Sequence, residues 1–137
     1  MLKSALSQAM NRVRFGRNPF LGQTRLADVA GKLAGWASSG IGKSSPSHGM
    51  RLKTDLGDRI QRQMWAGTYE LHVRECFEAL VQPGDTYFDV GAHIGYHASL
   101  VALHTGPKGR VYAFEADPAM YAKLAGNLTQ FSWGVAV

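Results

Sequence analysis

The feature that most constrains the fold is the alternation of short apolar segments with amphipathic segments after residue 85. Thr86–Val90 is predicted to form a strand, Ile94–His104 a helix and Arg110–Glu115 a second strand. Asp117 is a good N-cap, and Pro118 suits the first position of the helix that follows. Strands joined by single helices of this length form parallel units. The sequence therefore predicts an α/β, Rossmann-like fold.

Two acidic residues lie where these strands end. Asp89 closes the first strand and Glu115 the second, while Gly91 and Gly95 flank the intervening turn. In an open parallel sheet the ligand lies outside the carboxyl ends of the strands, and glycine lets a ligand approach the backbone. Glu115 follows Gly91 by 24 residues, a spacing that returns the second strand tip beside the first. A carboxylate there can accept two hydrogen bonds from the vicinal hydroxyls of an adenosine ribose.

A nicotinamide dinucleotide also contains such a ribose, but the turn argues against it. The dinucleotide fingerprint is G-x-G-x-x-G, whose glycines admit a pyrophosphate. Here Ala92 and His93 occupy the crowded positions, and Asp89 places a negative charge where phosphates would lie. S-adenosylmethionine has a ribose, an ammonium group and a sulfonium, and no phosphate. We therefore predict S-adenosylmethionine as the cofactor.

The motifs also resemble a known family. The run from Gly67-Thr68-Tyr69-Glu70 through LVQPGDTYFDVGAHIGYHASL and GPKGRVYAFEADP closely resembles the FkbM family of bacterial methyltransferases, over about residues 51–130. These are Rossmann-like enzymes usually linked to O-methylation of sugar or polyketide hydroxyls. The resemblance implies S-adenosylmethionine-dependent O-methylation of a small-molecule or glycan hydroxyl.

The same resemblance assigns roles by position. It implies that Asp89, Gly91 and Gly95 hold the methionine end of the cofactor, with Ala92 and His93 in the same turn. It implies that Glu115 holds the ribose and that Ala116 lies near the adenine. His93 stands where the family usually has asparagine, and Ala116 where it often has proline. No catalytic residue is assigned, because a general base in this fold typically comes from later strands and loops.

Residues 1–50 are predicted to be a basic, helical N-terminal extension and linker, and residues 51–137 the methyltransferase domain. The first 63 residues carry a net charge of +8 and the remainder −3. The positive charges are scattered singly, so a solvated face is favoured over nucleic-acid binding. Leu2, Leu6, Met10 and Val13 recur at helical spacing without acidic neighbours, which fits a helical extension best and a transit peptide second.

The single cysteine, Cys76, fits a reducing, cytoplasmic location, and no apolar run is long enough to span a membrane. The segment from Ala37 to Ser44 matches a relaxed phosphate-binding loop, but Gly, Ser and Pro around it indicate a linker. His93, His97 and His104 are expected to be surface and pocket-edge residues rather than zinc ligands, so no metal is predicted.

Further elements are expected along the rest of the chain. Arg51–Asp55 reads as a short strand, Leu56–Trp65 as a helix and Tyr69–Val81 as a second helix. That second helix has a predicted apolar stripe, and Cys76 on it is expected in the core; the stripe comprises Val73, Phe77, Leu80 and Val81. The helix after Asp117 is expected to bury Tyr121, Leu124 and Leu128, and Gly134–Val137 to open a third strand.

The sheet is expected to be incomplete, because a fold of this type needs about seven strands and the sequence supplies two or three. The favoured interpretation is a truncated methyltransferase carrying the cofactor-binding half. A second is half of a split enzyme, or an interaction module, completed by a partner chain. A third is a basic nucleic-acid binder with a vestigial domain.

Overall fold

A computed structural model describes residues 49–137 together with Val29, Leu33, Ile41 and Gly42. The chain divides into two compact units, Met1–Tyr69 and Glu70–Val137. Val29 and Leu33 are helical and exposed, and the other residues of the predicted N-terminal helices lie outside the described residues. The predicted boundary between residues 50 and 51 rests on composition and stays a prediction.

The first unit contains a small hairpin and one helix. Strands β1 (Ile41–Gly42) and β2 (Thr54–Asp55) pair antiparallel. Helix α1 (Arg59–Ala66) begins later than predicted because the Asp58 carboxylate accepts a 2.7 Å hydrogen bond from the Gln61 amide and caps the helix. Gly67, at φ 70°, ends it in a left-handed cap.

The second unit follows the predicted order of strands and helices. In chain order its elements are α2 (Leu71–Leu80), β3 (Thr86–Val90), α3 (Tyr96–Thr105), β4 (Arg110–Phe114), α4 (Pro118–Leu128) and β5 (Gly134–Ala136). The three strands β3, β4 and β5 lie side by side in that order, and both pairings are parallel. The α/β, Rossmann-like fold is therefore confirmed, including the third strand.

One face of this sheet carries the core. Val111 and Ala113 of β4 are fully buried there, beside Tyr87 and Asp89 of β3. Helix α3 packs on β3 and β4, and α4 packs on β5. The buried cluster consists of Ala92, Ala98, Val101, Ala102, Val111, Ala113, Leu124, Leu128 and Phe131.

The opposite face of the sheet is open within the described part of the chain. Phe88 is 60% exposed and Val90 84% exposed, and the ring of Phe88 stacks on Tyr112 at 5.2 Å. The outer edge of β3 pairs with no strand among the described residues. Parallel sheets are normally covered by helices on both faces, whereas the described part of this unit covers one face only.

Three predicted core positions are wrong. Tyr121, in the first turn of α4, is 37% exposed. Leu80 is 74% exposed as the last residue of α2. Cys76 is exposed. Helix α2 packs through a narrow stripe that includes Phe77, and the side chain of Cys76, one residue earlier, points about 100° away from that stripe.

Asn127 anchors α4 to the turn after β3. This buried side chain donates a 2.8 Å hydrogen bond from Nδ2 to the Ile94 carbonyl oxygen. Asn127→Ala is expected to lower the free energy of unfolding by about 1–3 kcal/mol, because it leaves a buried carbonyl without that donor. Urea unfolding measures the effect. Thr129→Ala, at an exposed position of the same helix end, is the control and should change stability by less than about 0.5 kcal/mol.

No helix in the described ranges is both long and apolar enough to cross a membrane. Nor do these ranges contain three or more His, Cys, Asp or Glu residues grouped so that they could hold a metal ion.

Candidate functional site

The predicted site residues meet at the carboxyl ends of β3 and β4. The last residues of the two strands, Val90 and Phe114, are register partners. The amides of Gly91 and Ala92 both donate to the Phe114 carbonyl oxygen, each at 2.9 Å. The turn after β3 is therefore fastened directly to the tip of β4.

Glu115 completes that connection. Its Oε2 accepts a 2.7 Å hydrogen bond from the His93 amide, and its Oε1 accepts a 2.9 Å hydrogen bond from the Asp117 amide. Donation by these two amides, Asp117 first, holds the pKa of Glu115 below its ordinary value. A carboxylate has about four lone-pair sites. Each oxygen of Glu115 therefore keeps capacity to accept a hydrogen bond from a ligand.

Asp89 provides a second carboxylate at the covered face of the sheet. Its Oδ2 is shielded from solvent and has no hydrogen-bond partner among the described residues. Burial raises the pKa of Asp89 above its ordinary value, while His97 and the Ala98 amide oppose the rise. A buried carboxylate oxygen without a donor is costly. This oxygen is suited to a ligand that supplies N–H groups and positive charge.

The two predicted glycines differ in what they do. Gly91 has φ +82°, is exposed, and a β-carbon there would meet nothing within 4 Å. Its position therefore offers open space beside the backbone. Gly95 has φ +83°, and a β-carbon there would lie 2.7 Å from Cδ1 of Leu124. Gly95 thus allows α4 to pack tightly against the turn.

His93 adopts a left-handed backbone conformation, with φ 51°. Asparagine, aspartate and histidine tolerate this region better than other non-glycine residues. Since the FkbM resemblance puts asparagine at this position, histidine preserves the backbone geometry that the turn requires. Ala92 is buried in the same turn, and Ala116 is exposed just after Glu115.

Two substitutions at His93 test this interpretation. His93→Asn is expected to change the free energy of unfolding by less than about 0.5 kcal/mol, because asparagine accepts the left-handed conformation. His93→Val should cost about 1–2 kcal/mol, because a β-branched residue resists it. Thermal or urea unfolding of both variants measures the difference. Equal stability of the two variants would contradict a backbone role for this position.

Sequence reasoning placed His97 at the edge of the pocket but did not find its contact with Glu70. His97, in the first turn of α3, places Nε2 3.4 Å from Oε2 of Glu70. Glu70 precedes α2 with φ 42° and ψ 54°, a left-handed conformation without a side-chain cap. The sequence did not decide the role of Glu70, since a Tyr-Glu pair before a helix suits a cofactor contact and a simple helix start equally well. Asn127 was also missed, because no local pattern links it to a turn 33 residues away.

One sequence family matches part of the second unit. Residues 89–137 match the family described as "Methyltransferase FkbM domain". The match begins at Asp89, so the resemblance over residues 51–88 rests on the sequence motifs alone. No curated protein matches the chain significantly.

Solved structures share the fold. The chain is similar to "M. jannaschii TYW2 in complex with AdoMet", with 23% identity over 71% of this chain and 41% of that chain, at a TM-score of 0.53. It is similar to the "putative transferase PH0793" from Pyrococcus horikoshii, with 14% identity over 98% of this chain and 62% of that chain, at a TM-score of 0.53. A "SAM dependent methyltransferase from Aquifex aeolicus" matches at 22% identity over 49% of this chain, with a TM-score of 0.42, and the match spans only 36% of that protein.

Proposed function

We propose, from the match of residues 89–137 to the FkbM methyltransferase domain, that this chain carries the cofactor-binding half of an S-adenosylmethionine-dependent O-methyltransferase. The observation that carries the proposal is the pair of carboxylates, Asp89 and Glu115, at adjacent ends of two parallel strands. The turn between them is glycine-rich and open at Gly91. The proposed acceptor is a hydroxyl group of a small molecule or glycan, and the proposed location is cytoplasmic.

The two carboxylates match different parts of the cofactor. Asp89 Oδ2 lacks a donor among the described residues, and we assign it to the ammonium group of the methionine moiety. Glu115 is held in place by two backbone amides, and its remaining lone pairs suit the ribose hydroxyls. Ala92 and His93 line the same turn, and Ala116, exposed after β4, is assigned to the adenine side.

S-adenosylmethionine, when bound, supplies the methyl group, and this chain's residues orient it. The carboxylate of Asp89 favours a cationic ligand over a phosphate-bearing one. Gly91 leaves room beside the backbone for the ligand, and Gly95 fixes the turn by allowing Leu124 to approach. Orientation matters because in-line transfer of the methyl group depends on how its carbon is positioned relative to the acceptor oxygen. No residue is assigned as general base.

Ligand-dependent stabilisation tests this proposal. S-adenosylhomocysteine at about 100 times its dissociation constant should raise the free energy of unfolding by about 2.7 kcal/mol, visible as a higher melting temperature. NAD⁺ is the matched control, because it has a ribose but also a pyrophosphate. Equal stabilisation by both compounds would contradict the methyltransferase assignment and favour a dinucleotide site.

A split enzyme completed by a partner chain is the second candidate. It is favoured by the exposed side chains of Phe88 and Val90 and by the outer edge of β3, which has no strand partner in the described part of the chain. A polypeptide that adds a parallel strand and covering helices would bury this face. Co-purification of a second chain in a one-to-one complex would support it, and a monomer that binds cofactor alone would contradict it.

A further inference from the structure

The C-terminal half of α4 contacts the glycine turn, the residues Gly91–Gly95 that follow β3. Leu124 is fully buried, and a β-carbon on Gly95 would lie 2.7 Å from its Cδ1. Asn127, three residues later, is 2% exposed and donates a 2.8 Å hydrogen bond from Nδ2 to the carbonyl oxygen of Ile94. Helix α4 therefore contacts two consecutive residues of the turn, and both contacts are shielded from solvent.

The carbonyl of Ile94 needs a donor, because this residue is fully buried just before α3. Within an α-helix, a carbonyl oxygen accepts a hydrogen bond from the amide four residues later. For Ile94 that amide belongs to Ala98, which donates to the carboxylate of Asp89. Asn127 thus supplies a donor to the turn, while the Ala98 amide serves the carboxylate that we assign to the ligand.

The beginning of α4 is tied to the carboxylate that follows β4. The amide of Asp117 donates a 2.9 Å hydrogen bond to Oε1 of Glu115. The carboxylate of Asp117 in turn caps the helix by accepting a 2.8 Å hydrogen bond from the amide of Met120. One helix therefore holds Glu115 at its start and the glycine turn near its end, so it links the two parts of the site.

We propose that Asn127 is a positioning residue of the cofactor site: its hydrogen bond to Ile94 holds the glycine turn in the conformation that binds the ligand. This inference rests on the proposed function, since it concerns the ligand assigned to that turn. Asn127 acts through the backbone of the turn and not by contact with the ligand. Without its donor the turn also populates other conformations, and the apparent affinity falls with the fraction of chains that remain competent to bind.

Calorimetric titration of S-adenosylhomocysteine into the full chain and two variants tests the proposal. Asn127→Leu keeps the size of the side chain without its donor, and the hydroxyl of Asn127→Ser is one atom too short to reach Ile94. Each folded variant should bind about tenfold more weakly than the wild type. The matched control is Leu128→Val, which trims a buried side chain of the same helix that faces Gly134. Its affinity should stay within about twofold of the wild type.

The nuclear magnetic resonance signals of the Gly91 and Gly95 amides separate positioning from a general loss of stability. In the ligand-free chain, Asn127→Leu should shift both signals, and Leu128→Val should leave them in place. Asn127 variants with wild-type affinity and unmoved glycine signals would overturn this inference alone, as would an equal loss of affinity in Leu128→Val. A folded wild-type chain that does not bind S-adenosylhomocysteine would overturn the proposed function, and the inference with it.

Discussion

Gly95→Ala is expected to lower the free energy of unfolding by about 2–5 kcal/mol and to abolish ligand binding. Two costs add at this position. Alanine at φ +83° is strained by about 1–2 kcal/mol, and its β-carbon would lie 2.7 Å from Cδ1 of Leu124, an overpacking that costs about 1–3 kcal/mol. Urea unfolding followed by circular dichroism measures the loss.

Gly126→Ala is the matched control for that substitution. Gly126 lies inside α4, and a β-carbon there would meet nothing within 4 Å. Alanine should therefore stabilise the helix by about 0.5–1 kcal/mol. If both variants were equally stable, the close approach of α4 to the turn would not be the reason for glycine at position 95.

Asp89→Asn is expected to affect binding and stability in opposite directions. Loss of the charge should weaken binding of S-adenosylhomocysteine by at least about tenfold, since charge-assisted hydrogen bonds contribute about 1.5–3 kcal/mol. The same change should stabilise the ligand-free chain at pH 7 by up to about 1 kcal/mol, because it removes a desolvated carboxylate whose Oδ2 has no donor in the described residues.

The stabilisation by Asp89→Asn is expected to depend on pH, because the pKa of Asp89 differs between the folded and unfolded states. Burial raises the pKa of Asp89 in the folded chain, so the folded state binds the proton more tightly than the unfolded state. The ionised form therefore destabilises the wild type above the folded pKa, and this penalty disappears as the pH falls through it. Urea unfolding of both proteins at pH 7 and pH 4 should show the advantage of the variant shrinking. An advantage that grew on acidification would contradict a raised pKa.

The meeting of Asp89 and Glu115 was predictable because it follows from topology. The carboxyl ends of parallel strands lie at the same edge of a sheet. Recognising two strands and one intervening helix was therefore enough to predict that both acids lie at that edge. The cap at Asp117 was equally local: its carboxylate accepts a hydrogen bond from the Met120 amide at 2.8 Å, within one helical turn. These features depend on spacing and short-range chemistry.

The features that were missed depend on longer-range geometry. The hydrogen bond from the His93 amide to Glu115 is donated by a residue in the left-handed backbone conformation, which histidine permits but does not specify. The contact of Glu70 with His97 joins two helices across 27 residues of sequence. The burial of Cys76 and Tyr121 was mispredicted, because the apolar character of a side chain does not reveal whether another helix or strand covers it.

A calorimetric titration of S-adenosylhomocysteine into the purified chain, beside Glu115→Ala and Glu75→Ala, tests the central claim most directly. Glu75 is an exposed acid on α2, so its variant controls for the loss of a carboxylate elsewhere. We expect saturable, one-to-one binding in the wild type and in Glu75→Ala, and its loss in a Glu115→Ala chain that circular dichroism shows to be folded. A folded wild-type chain that produces no heat of binding, or a Glu115→Ala variant that binds as tightly as the wild type, would contradict the assignment of this site to the cofactor.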